Sequence, residues 1–99
     1  MATRILEFGG TGHLGPSFPV VPAGQRVTVQ SAMTATSTSA QSAAVNAATS
    51  LVCVQSDEQI YVLVASNPTV TNDNYRIPAG GEQWFSLPLN SGWKVAIKT

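Results

Sequence analysis

Nucleophilic or acid–base chemistry in this chain has few side chains to draw on: one His, one Cys, two Asp and three Glu among 99 residues. His13 and Cys53 are the single pair able to form a base–nucleophile dyad of the papain type. Cys53 lies in the apolar run LVCV, where cysteine packs as a small hydrophobe. His13 lies in a glycine-rich stretch that is poorly suited to holding a base in place. One imidazole without a thiolate cluster does not make a zinc site. Asp57 and Glu58 read as a solvated turn, and the five acids are too scattered for a two-carboxylate glycosidase. No catalytic, cofactor-binding or metal-ligating residue is assigned, and no enzyme is expected.

Gly10, Gly12 and Gly15 spell GxGxxG after the strand-like ILEF, as a dinucleotide-binding turn does. That motif must open a helix whose N-terminus holds the pyrophosphate. Here Pro16, Pro19 and Pro22 follow at once and forbid a continuing helix. No acidic residue lies near twenty positions on, and a chain this short cannot hold a Rossmann sheet. The stretch reads instead as an extended Gly/Pro-rich arm, giving an N-terminal arm over residues 1–24 and a β-domain over residues 25–99.

Charged residues make up 10% of the chain, against roughly 25% in an average one, and the five basic and five acidic side chains cancel. That balance offers no electrostatic footprint for nucleic acid or an anionic membrane. Ser, Thr and Ala fill 32 positions, a small-residue, near-neutral surface suited to packing against other subunits. A single cysteine excludes an internal disulfide. MATRILEF is followed by no apolar run of signal-peptide length, and no 18-residue apolar span follows, so a soluble chain without a secretion signal at its start is expected.

The elements that must position any site are strands. LVCV and IYVLVA, joined by Ser56, Asp57 and Glu58, read as a β-hairpin at the centre of an antiparallel sheet. Arg4–Phe8 is a short strand with Arg4, Leu6 and Phe8 on one side and Ile5 and Glu7 on the other. Val27 and Val29 are expected to face inward from a strand over residues 25–30. Residues 31–50 hold sixteen Ser, Thr or Ala in twenty and read as two β-like segments, with a short helix over Ala40–Ala48 as the alternative. Asn67-Pro68 ends the second apolar strand, and TVTNDN is expected to be a polar loop. Tyr75–Pro78 is a strand before a Pro78–Gly81 turn. Glu82–Leu87 sends Gln83, Phe85 and Leu87 to one face and Trp84 to the other. Trp93, Val95 and Ile97 alternate against Lys94, Ala96 and Lys98. The expected core is Val27, Val29, Val52, Val54, Phe85, Leu87, Val95 and Ile97. The fold class is all-β, a small antiparallel sandwich or jelly-roll-like barrel.

From Ser39 onward the chain resembles the short capsid decoration, or cement, proteins of tailed bacteriophages. The resemblance lies in the order of Asn46–Thr49 (NAAT), Val52–Val54, Asp57, Tyr61, Asn67-Pro68, Pro78–Gly80, Trp84-Phe85 and Lys94–Ile97. It implies a non-enzymatic virion protein on the capsid surface that binds between neighbouring subunits of the major capsid protein, often as a homotrimer. Phe8, Phe18 and Trp84 are the expected interface residues, with Phe18 anchoring the arm and Trp84 between protomers. The alternative is a carbohydrate-binding or adhesin-like β-sandwich, which clustering of Trp84, Trp93 and Tyr61 on one open face would favour.

Overall fold

Period-two burial builds the first strand: Thr3, Ile5 and Glu7 are buried, while Arg4, Leu6 and Phe8 point the other way. The computed structural model describes residues 2–9, 12–13, 19–20, 26–88 and 90–99, with the backbone alone at 12–13, 19–20 and 26–28. Among the described residues the strands run in chain order β1 (Thr3–Phe8), β2 (Gly12–His13), β3 (Pro19–Val20), β4 (Arg26–Val29), β5 (Ala40–Gln41), β6 (Leu51–Ser56), β7 (Ile60–Ala65), β8 (Tyr75–Ile77), β9 (Glu82–Ser86) and β10 (Lys94–Lys98). There is no helix among the described residues, so Ala40–Ala48 takes the extended reading. The Gly/Pro-rich segment carries only the small β2–β3 pair among its described residues.

Two four-stranded antiparallel sheets face each other, ordered β4-β1-β6-β9 and β5-β10-β7-β8. Between them lies one apolar cluster. Ile5, Val52 and Val54 enter it from the first sheet, Ile60, Val62, Ile77, Val95 and Ile97 from the second, and Leu87 from the connection after β9. Phe85 and Trp93 pack against it half-buried, so five of the expected core residues are buried and Phe85 lines the rim. Tyr75, on edge strand β8, closes the open side. Its ring meets Phe85 of edge strand β9 edge-on at 5.9 Å, and its hydroxyl donates to Gln83 Oε1 at 2.9 Å.

Four expectations are corrected. β6 and β7 are both strands, each interior to its sheet, yet they are not a hairpin: they belong to opposite sheets. The backbone explains it. Ser56 N–H donates to Gly81 O and Ser56 C=O accepts from Gly80 N–H, while Asp57 N–H donates to Ala2 O. The end of β6 is therefore satisfied within its own sheet, and Ser56 Oγ, bonded to both Glu58 C=O and Glu58 N–H, turns the chain across to the other. The turn that serves Ser56 is Pro78–Gly81, closed by Gly81 N–H to Pro78 O, with Gly80 at φ 75° where only glycine sits without strain.

Val29 is the second correction. It is 45% exposed, because Thr28 pairs with inward-facing Glu7 and Val29 pairs with outward-facing Leu6. The side chain of Val27 lies outside the described residues.

The third correction concerns residues 3–8. They are an interior strand paired on both sides and belong to the sandwich rather than to an arm.

Finally, Ala96 is fully buried, so β10 is not one-sided. Gln41 and Leu63 flank Ala96 in register, and the connection 66–74 folds back over this outer face. Gln41 Nε2 donates to Asn67 Oδ1 and Pro68 O, Val70 N–H donates to Ser39 Oγ, and Lys98 Nζ donates to Asn72 Oδ1. Pro68 and Val70 are buried beneath it, so TVTNDN is polar only in part.

Candidate interaction surface

The outer face of the first sheet is read from its register. One row carries Arg4, Gln55 and Glu82 across β1, β6 and β9; the next carries Leu6, Cys53 and Trp84; a third carries Phe8, Leu51 and Ser86. Phe8 and Trp84 stand on β1 and β9, separated by β6, and strands two apart lie roughly 9–10 Å from each other. Their ring centroids are nevertheless only 5.2 Å apart, tilted at 44°. The two rings therefore lean together over β6. That roof explains why Cys53 and Leu51, on an outward face, are 1% and 6% exposed, while Trp84 itself remains 42% exposed. With Val29 beside Leu6, the face forms a contiguous apolar band.

Beneath the roof the Cys53 thiol donates to Glu82 Oε2 at 2.9 Å. Burial, then the bond to Glu82 and its negative charge, push the thiol up to about 12. A nucleophilic cysteine needs the opposite shift; Cys53 is a buried thiol packed beneath the two rings. The side chain of His13, its expected partner in a dyad, lies outside the described residues, as do Gly10, Gly15 and Phe18. Among the described residues no three His, Cys, Asp or Glu side chains gather as metal ligands.

At the end of this sheet Arg4, Gln55, Ser56, Asp57, Gly80, Gly81 and Glu82 line a polar cleft of about 160 Å³, small beside the few hundred Å³ of a drug-sized site. Arg4 and Asp57 make an ion pair across it at 3.4 Å, the one ion pair among the described residues. Both side chains are half exposed, so the pair contributes little to stability.

Glu7 is the residue that sequence reasoning passed over. It faces the interior, 1% exposed, with no cation in ion-pair contact among the described residues. Its Oε1 accepts from Asn46 N–H and Thr49 Oγ1, each at 2.7 Å, and its Oε2 accepts from Gln30 Nε2 at 2.9 Å. Asn46 also caps its own turn, its Oδ1 accepting from Ala48 N–H. NAAT is thus a tight turn whose two ends are held by one buried carboxylate. The only sequence sign was a charged residue on the inward parity of a strand.

The aromatic residues named for a sugar platform do not share a face. Trp84 lies on the outer side of the first sheet, Tyr61 on the outer side of the second beneath Lys98 Nζ at 5.6 Å, and Trp93 packs against the core. Comparison with protein-family models, with curated proteins and with solved structures yields no match to this chain.

Proposed function

We propose that this protein is a structural component of a bacteriophage virion. It decorates and stabilises a capsid by binding between neighbouring subunits of the major capsid protein, acts as a homo-oligomer, and carries out no catalysis. The observation that supports this best is the Phe8–Trp84 roof. The paired rings cover Cys53 and Leu51 yet leave Trp84 42% exposed and continuous with exposed Val29, apolar surface that costs solubility. Exposed aromatic clusters of this kind are the anchors of protein–protein contacts. The near-neutral surface rich in Ser, Thr and Ala agrees with close packing among subunits. The sugar-binding alternative is without the shared face of Trp84, Trp93 and Tyr61 that would favour it.

The test is to mix the purified protein with assembled virus-like shells of a tailed phage and sediment them. Saturable, stoichiometric retention on intact shells is expected. Absence of retention at every shell maturation state would remove the capsid reading.

A further inference from the structure

The outer face of the first sheet has a charge pattern that matches its own copy. Its polar row reads Arg4 on β1, Gln55 on β6 and Glu82 on β9, with the positive and negative ends equidistant from the middle strand. Place a second copy face to face, related by a two-fold axis lying in the interface and running along β6. The rotation exchanges β1 and β9 and keeps each row level. Arg4 of each copy then stands opposite Glu82 of the other, and Gln55 stands opposite Gln55. One level along, the Phe8–Trp84 roofs of the two copies, both centred over β6, meet at the axis. Two sheets packed face to face lie about 10 Å apart, a gap that an Arg and a Glu side chain span together. A two-fold axis in the interface perpendicular to β6, passing through the row, would instead set Arg4 over Arg4 and Glu82 over Glu82.

We infer that this face is a self-association surface whose occupant is a second copy of the same chain, docked about a two-fold axis over β6. An isologous interface demands such self-complementarity, and the row supplies it in a chain with only ten charged side chains. The pairing specifies the oligomer in the assembly reading above, as a two-fold pair in place of the trimer that the resemblance implies. It can be tested without any shell, so its failure and the failure of capsid binding are separate results. The ion pair of Arg4 with Asp57 is long and exposed, which leaves the guanidinium free to exchange partners. A face four strands wide is a small interface by the standards of stable dimers, so the association is expected to be weak.

The experiment is sedimentation velocity on the full chain, from about 1 μM to about 1 mM, the range that brackets weak specific interfaces. A monomer–dimer equilibrium that weakens with added salt is expected. Glu82→Arg, which sets Arg against Arg4 at both ends of the row, should weaken the dimer at least tenfold. The double variant Arg4→Glu, Glu82→Arg restores opposite charges across the axis and should recover it. Because Glu82 also accepts from Cys53, Gln55→Arg provides a second reading that leaves that contact intact. It places like charges across the axis and should also weaken the dimer at least tenfold, with thermal melts confirming that each variant is folded. A monomer throughout the range, a trimer, a dimer indifferent to Glu82→Arg and Gln55→Arg, or a folded double variant that fails to recover would each overturn the inference.

Discussion

Glu7 Oε1 accepts the hydroxyl of Thr49 at 2.7 Å, with both residues buried and 42 positions of chain between them. A buried carboxyl group is tolerable only when hydrogen bonds replace its hydration. Here the replacement comes from a hydroxyl and a backbone N–H of the 46–49 turn and from the Gln30 side-chain amide. The carboxylate thereby fastens a stretch of Ser and Ala, which has little apolar area of its own, onto the interior strand β1.

Glu7→Ala should destabilise the fold by roughly 3–5 kcal/mol, because it orphans the donors of Asn46 and Thr49, leaves Gln30 Nε2 only Ala43 O, and opens a cavity. Glu7→Gln keeps an acceptor for Asn46 and Thr49 and fills the same volume, so its loss should be smaller. Urea denaturation checks both, and a Glu7→Ala midpoint equal to wild type would show that the carboxylate does not hold the 43–50 segment.

Val95 and Val29 test the assignment of strand faces. Val95→Ala removes buried core and should cost roughly 1.5–3 kcal/mol, while Val29→Ala, on the outer face, should stay within about 0.5 kcal/mol of wild type. Equal effects would mean that the two residues sit in similar surroundings.

Cys53 reports on the roof. In the folded protein it should resist a thiol reagent at pH 8, because the thiolate is suppressed and the sulfur covered. Phe8→Ala removes one ring and should accelerate modification while costing the aromatic pair about 0.5–1.5 kcal/mol. Rapid modification of the wild-type thiol would contradict the roof.

The same thiol predicts an alkaline weakening. Its ordinary value is 9.0 and its folded value about 12, so above pH 9 the unfolded chain loses the proton while the folded chain keeps it. Stability contributed by the neutral thiol is fully present below pH 9 and is lost as pH rises towards 12. Thermal midpoints from pH 8 to 11 should therefore fall more steeply for wild type than for Cys53→Ala; parallel curves would remove Cys53 from the account.

Val70 tests the folded-back connection. Val70→Ala should destabilise by roughly 1.5–3 kcal/mol, as for a buried valine, whereas a solvated loop would show almost no change in a thermal melt.

Alternation along β1, β9 and most of β10, together with turn residues at Asn67-Pro68 and Pro78–Gly81, made the all-β class and most strand faces legible, because side-chain parity is a local property of extended backbone. The same parity put Trp84 on the face opposite Phe85. Partnership is not local. Ser56 could have closed a hairpin with the residues that follow it; tertiary structure decided otherwise because Gly80, Gly81 and Ala2 already satisfy the backbone at that corner. Val29 was misplaced because its face depends on the register with β1, which slips between Glu7 and Phe8. The meeting of Phe8 with Trp84 and of Glu7 with Thr49 joins residues more than forty positions apart. Composition marked them as available, and only the stacking of strands from distant parts of the chain brought them together.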